Sequence, residues 1–129
     1  MNKFTMLRRA IDLLNSSWLE EARDMGLPVD KFVWRLERNY PIPKIFKFSE
    51  KKYRTTGWDL WYEQERQEDL IYYENMENWI LYHGGPDPIV IVEGANGEVA
   101  DVWDGYHRAA AANYVGRSTI PAIVGTKDA

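Results

Sequence analysis

Cysteine is absent from the 129 residues, so disulfides, thiol nucleophiles and thiolate-bound metals are all excluded. Only two histidines occur, His83 and His107. They stand far apart without companion ligands, so no zinc centre is expected. No apolar run approaches the roughly 18 residues of a membrane-spanning helix, and the opening MNKFTMLRRAIDLL lacks a signal-peptide cleavage pattern. The expectation is a cytoplasmic protein with no membrane partner. The Gly-x-x-x-x-Gly-Lys run of a P-loop is missing as well. Basic residues are scarce in the second half: residues 67–129 hold 3 Lys/Arg against 10 Asp/Glu, net −7, whereas residues 1–66 hold 13 against 10, net +3.

What is present is the composition of one folded domain. Hydrophobic residues make up 45% and charged residues 28%, which is globular rather than disordered composition. A chain of this length buries roughly two-thirds of its unfolded surface. The net charge of −4 and a pI near 5.2 argue against a protein that coats DNA non-specifically. Over residues 31–54, however, Lys31, Arg35, Arg38, Lys44, Lys47, Lys51, Lys52 and Arg54 face only Glu37 and Glu50. Such a stretch attracts phosphates or complements the acidic half of its own molecule.

Periodicity sets out the elements. Phe4, Leu7, Ile11, Leu14 and Trp18 recur at three- and four-residue steps, a one-sided helix that Gly26, as a left-handed C′ residue, and Pro28 bring to an end. Asp30 then caps a short helix through Phe32, Val33 and Leu36, broken by Asn39-Tyr40-Pro41-Ile42-Pro43. Ile45, Phe46 and Phe48 form a first strand at an edge, and residues 51–57 a loop. Residues 58–83 read as helix in two pieces meeting near Gln67, with Leu70, Tyr73, Met76 and Ile80 on the buried face and Gly84-Gly85-Pro86 as the stop. Ile89-Val90-Ile91-Val92 is a buried strand, Asn96-Gly97 a tight hairpin, and Val99, Val102 and Trp103 the returning strand. Residues 107–115 form a helix closed by Gly116, whose four alanines at 109–112 let it lie close to a sheet. Residues 119–124 make the last strand. The sum is an α+β fold in a single domain over 1–129, helical in front with a small sheet behind.

The chemistry concentrates in Asp104-Gly105-Tyr106-His107-Arg108, between a strand and a helix. A helix N-terminus presents unsatisfied N–H groups and the positive end of its dipole, which suits an anion. Gly105 lets backbone approach a ligand closely, Arg108 supplies a forked cation matched to phosphate oxygens, and His107 donates a hydrogen bond or shuttles a proton. The plainer reading is structural, with Asp104 as N-cap, Gly105 as turn residue, and His107 and Arg108 as ordinary first-turn residues.

The surroundings of that pentapeptide carry a resemblance. Pro88-Ile89-Val90-Ile91-Val92, a glycine-containing hairpin, Val102-Trp103-Asp104-Gly105-Tyr106-His107-Arg108 with its four alanines, then Gly116 and Ile120-Pro121-Ala122-Ile123-Val124 resemble the ParB/sulfiredoxin superfamily. Its members place Gly-x-His-Arg or Gly-Glu-Arg-Arg after a strand, follow it with an Ala-rich helix and end on an Ile-Pro strand. The resemblance covers residues 70–124. It implies a ParB/sulfiredoxin-like core over 41–129, a small mixed sheet with packed helices, preceded by a helical extension over 1–40. It also implies that Gly105, His107 and Arg108 contact nucleotide phosphates, with Tyr106 in the variable place. Sulfiredoxins carry their catalytic cysteine where Tyr106 stands, so that repair chemistry is excluded. Their nucleotide-facing Lys, Ser and Thr on the preceding helix are replaced by Tyr72, Tyr73, Glu74, Asn75 and Asn78. Partition-type ParB proteins continue into DNA-reading helices, whereas five residues follow Val124, so a complete partition protein is not expected.

Three functions follow as expectations. The first is a domain that binds a nucleotide or another phosphate-bearing ligand, with hydrolysis or transfer of phosphate as its reaction. Positioning and charge stabilisation carry most of such a step: Arg108 stabilises charge, His107 orients or protonates, and Asp104 serves as base or as ligand to Mg²⁺ accompanying the nucleotide. The second is a nucleic-acid-binding or nuclease accessory protein. Lys44, Lys47, Lys51, Lys52 and Arg54 would hold the backbone there, with Phe32, Trp34, Tyr40, Phe46, Phe48 and Tyr53 available for stacking unless they are core. The third is a non-catalytic protein-interaction module, or an inhibitor of a mobile element, using its aromatic front half. Glu93 and Glu98 read as solvated, and His83 as a helix C-terminal charge.

Overall fold

A computed structural model of the chain describes residues 24–52, 57–82 and 88–127. Among them a 3-10 turn (Val29–Lys31) leads into β1 (Phe32–Pro41), α1 (Ile42–Lys52), α2 (Trp58–Glu68), α3 (Leu70–Tyr82), β2 (Ile89–Glu93), β3 (Val99–Asp104), α4 (Tyr106–Tyr114) and β4 (Thr119–Lys127). The fold is α+β, with one mixed sheet in the order β1-β4-β2-β3. The β-branched run of β2 is buried along its whole length, as suits a central strand covered on both faces. It pairs antiparallel with β3 through a hairpin in which Gly97 takes φ +78°. It pairs parallel with β4, which the chain reaches by crossing over through α4. β1 closes the other edge, antiparallel to β4.

Alternation along the strands sorts side chains onto two faces. Toward the helices, Ile89, Ile91, Ile120, Ala122 and Val124 meet Ile45, Trp58, Tyr62, Tyr73, Ile80 and the alanines of α4. Those four alanines are all buried, so their small size lets α4 approach the sheet as expected. On the opposite face Trp34, Val90, Val92 and Ile123 cluster with Val29 and the partly buried Phe32 and Trp103. Trp34 donates from Nε1 to the Val29 carbonyl at 3.1 Å, folding the 3-10 turn onto that face. Its cross-strand partner is Gly125, where a Cβ would lie 2.7 Å from the indole. The absent side chain is what lets the ring lie there.

Two front-half expectations are corrected. Residues after Asp30 form strand β1 rather than a capped helix, because backbone pairing with β4 and burial of Trp34 and Tyr40 outweigh a local cap signal. Ile45, Phe46 and Phe48 belong to helix α1 rather than to an edge strand. Ile42, Ile45 and Ser49 are its buried positions, spaced three and four apart, and Pro43 falls in the first turn, where a missing N–H is tolerated. The front half therefore contributes a strand and is not purely helical.

Elsewhere the pattern holds. The long helical stretch divides at Asp69, two residues beyond Gln67, and the Asp69 carboxylate accepts from the Tyr72 amide at 3.3 Å. Tyr73 and Ile80 are buried and Met76 is half-buried, but Leu70 is exposed. Gly116 takes φ +87°, with Gly116 N–H bonded to the Asn113 carbonyl and Arg117 N–H to that of Ala112, a Schellman closure of α4. The apolar stripe of residues 4–18 and the stop at residues 84–86 lie outside the described residues. Among the described residues, no helix is long and apolar enough to cross a membrane.

Candidate phosphate-binding turn and its neighbours

Gly105 occupies the N-cap position of α4 with φ +86° and ψ 23°, and no side chain caps the helix. The helical ladder begins where Ala109 N–H donates to the Gly105 carbonyl at 3.0 Å, so the preceding amides stand outside it. Asp104 is not the N-cap. Its carboxylate accepts from Arg108 Nη2 at 3.3 Å, an i,i+4 pair that folds the guanidinium back over the turn. A Cβ on Gly105 would sit 2.4 Å from Ile89 Cγ2 and 2.7 Å from Arg108 Nη2. Glycine is thus demanded by the protein's own Ile89 and Arg108 as well as by its positive φ.

The rest of the motif spreads outward. Tyr106 packs its ring 5.9 Å from Trp58 and 5.2 Å from Trp61, so what it offers a ligand at this turn is backbone. His107 is exposed, its ring 5.3 Å from Trp61 and 6.1 Å from Tyr73. It opens on a cleft of about 460 Å³ walled by Glu65, Glu68, Asp69, Tyr72 and Tyr73. Three carboxylates there make that side unfavourable to a bare phosphate. Arg108 and His107, neighbours in sequence, therefore serve different surroundings. Among the described residues no group of three or more His, Asp and Glu is placed to share a metal ion.

At the far end of β2, Glu93 is buried rather than solvated. It accepts from Tyr40 Oη at 2.5 Å, Arg35 Nη2 at 2.9 Å and Lys44 Nζ at 3.3 Å. Burial pushes its carboxyl pKa up, but the bonds from Tyr40, Arg35 and Lys44 together outweigh it and hold the group below the usual glutamate value. Burial, then the bond to Glu93, drive the Tyr40 phenol far above its ordinary value. A second buried carboxylate, Glu77 on α3, accepts from Tyr62 Oη at 2.7 Å and Arg66 Nε at 2.9 Å. Arg66 in turn lies over the Tyr114 ring, 5.0 Å from its centroid. Sequence reasoning passed over Glu77, although it stands four residues after Tyr73 and three before Ile80, in line with the buried face.

The lysines expected on nucleic acid are largely engaged within the protein. Lys44 bonds Glu93 and the Gly97 carbonyl, and Lys47 and Lys51 both reach Glu98. Glu98 is thereby ion-paired at the surface, with those lysines holding its carboxyl below the usual value. Trp34 and Tyr40 are core, while Phe46 and Phe48 pack partly buried against it. Arg54, Tyr53, His83 and the side chain of Lys52 lie outside the described residues. Comparison of the chain with family models, curated proteins and solved structures returned no match.

Proposed function

We propose that this chain is a ParB/sulfiredoxin-like domain that binds a nucleotide or another phosphate-bearing ligand at the turn opening α4. The observation that carries the reading is the uncapped N-terminus of α4 at left-handed Gly105, with the Arg108 guanidinium held over it. The order of elements supports it too: a buried strand, a hairpin, Gly-x-His-Arg, an alanine helix, and a strand returning parallel to the first.

Arg108 is partnered by Asp104, but the pair is partly exposed, and such pairs contribute only about 0–1 kcal/mol. A phosphate bearing more charge, aligned with the helix dipole, competes for the guanidinium. Asp104 then yields its partner. Mg²⁺ needs only one or two carboxylates beside phosphate oxygens; Asp104, adjacent to Gly105 in the chain, would be the candidate for one arriving on a nucleotide. In this reading hydrolysis or transfer of phosphate is the reaction class, and His107, whose ring opens on the acidic cleft, would take part only by a proton passed from beside the turn. The test is thermal stabilisation by ATP, ADP, CTP, GTP and pyrophosphate, with and without Mg²⁺, since a ligand specific for the native state raises its midpoint. No shift with any of them removes the reading.

A protein-interaction role is the second reading, and the exposed face of α3 favours it. Ile71 and Tyr82 are 75% and 77% exposed, with Tyr72 and Trp79 about half exposed along the same helix. Large exposed apolar residues in one patch mark association surfaces. Introduction of a charge by Ile71→Glu that abolishes co-purification with a partner, while Arg108→Ala does not, would favour it.

A further inference from the structure

A cavity of about 770 Å³, larger than the cleft beside His107, lies at the other end of α4 from the Gly105 turn. Its floor is Ile42 and Phe46 of α1, and its rim carries Lys47, Lys51 and Arg117. The volume falls in the range of about 300–1,000 Å³ typical of small-molecule sites. The Ile42 amide donates to the Ser118 carbonyl at 3.0 Å, which ties the floor to the segment after α4. The first turn of α1 contains no acidic residue.

Among the described residues the charges around this groove do not balance. There Lys47 and Lys51, 62% and 67% exposed, share a single carboxylate, Glu98. Glu50 also lines the cavity, but its Oε1 accepts from the Trp58 amide at 3.2 Å, so its charge is directed at the N-terminus of α2. Arg117 is fixed at the rim by donating from Nη2 to the Ile80 carbonyl at 3.0 Å, and a guanidinium has further donors to offer. A basic rim thus surrounds an apolar floor on a protein whose net charge is −4.

We propose that this groove binds a small organic anion: one sulfonate, phosphate or carboxylate head on a flat apolar body. The body lies on Ile42 and Phe46, and the head meets Lys47, Lys51 and Arg117. A cavity of this size takes a single small molecule, and the engagement of Lys44 with Glu93 and Gly97 leaves the basic surface short for a polynucleotide track. The site is separate from the Gly105 turn, and its failure is separable from failure of that reading.

The experiment is titration of the full chain with anilinonaphthalene sulfonate, an anion of this chemistry whose fluorescence rises in apolar surroundings. Wild-type protein should show one saturable site, and Lys51→Glu and Arg117→Ala should each weaken it by roughly tenfold. Arg108→Ala, at the other end of α4, should leave it unchanged, and so should Ile71→Glu on the exposed face of α3. Arg117→Ala also loses the bond to Ile80, so Lys51→Glu, at an exposed position, is the variant that decides. Unaltered dye binding in Lys51→Glu, or loss of binding in Ile71→Glu, overturns the proposal. So does retention of oligothymidylate without any dye response, with an affinity that falls steeply with salt, which would mark a nucleic-acid surface instead.

Discussion

Tyr40 on β1 and Glu93 on β2 are joined by a 2.5 Å hydrogen bond although β4 runs between their strands. The bond exists because the register slips between Glu37 and Tyr40. Trp34 and Leu36 lie with one face of the sheet, and the slip turns Tyr40 to the other, since side chains alternate strictly unless a bulge intervenes. Arg35 and Lys44 complete the cluster from β1 and α1. One buried carboxylate therefore ties together two strands and a helix. Glu93→Ala should destabilise the fold by about 2 kcal/mol, less than a fully buried ion pair because Arg35 and Lys44 remain partly solvated. Urea unfolding at neutral pH measures this, and a change within error would show the cluster to be redundant.

The same carboxyl sets an acid dependence. Its folded pKa lies below its unfolded one, so its contribution is complete above the ordinary glutamate value of about 4.3 and disappears as pH falls through the folded value. Wild type should lose stability across that acid window more steeply than Glu93→Gln, whose side chain does not titrate. The gap between the two unfolding midpoints should thus shrink from pH 7 to pH 3. A gap independent of pH would assign the effect of the variant to shape alone.

The second half of the chain was legible because its signals are local. A β-branched run, an Asn-Gly turn and a Gly-bounded alanine helix each name their own structure, and β2, β3, α4 and β4 follow in that order. The first half misleads because its decisive contacts are distant. The strand over 32–41 is settled by pairing with residues 119–127, which no window around Asp30 contains. Glu93 is a similar case. Flanking a hairpin it reads as solvated, and only the reach of Tyr40 and Arg35 across β4 buries it. At the α4 turn, sequence named Gly105 and Arg108 together, but not that His107 faces carboxylates, because that depends on where α2 and α3 dock.

Gly125 gives a packing test independent of any ligand. Its missing side chain accommodates the indole of Trp34, and an added Cβ would meet three ring atoms between 2.7 and 3.0 Å. A buried aromatic ring anchored by its bond to Val29 cannot move aside cheaply. Gly125→Ala should cost about 2 kcal/mol, with near-ultraviolet circular dichroism of the Trp34–Phe32–Trp103 cluster altered. Pairing it with Trp34→Leu should cost less than the two changes summed. Strict additivity would mean that the ring and the glycine do not constrain each other.

The competition between Asp104 and a phosphate for Arg108 yields the sharpest test of the proposed function. Gly105→Ala is unsuitable, because its positive φ and the clash with Ile89 would destabilise the fold by about 2 kcal/mol or more whatever it binds. Asp104→Asn breaks a partly exposed pair, so it should alter stability by less than about 1 kcal/mol, and the unfolding midpoint of Arg108→Ala is measured alongside it. Their effects on ligand should be opposite. Arg108→Ala removes the cation and should abolish stabilisation by ADP or pyrophosphate. Asp104→Asn removes the competing carboxylate 3.3 Å from the guanidinium and its repulsion of phosphate, and should tighten binding without Mg²⁺ by roughly three- to tenfold. Calorimetric titration of both variants decides it. If Asp104→Asn instead weakens binding only when Mg²⁺ is present, Asp104 acts as a metal ligand. If both variants bind as wild type does, the phosphate lies elsewhere and the turn is a structural one.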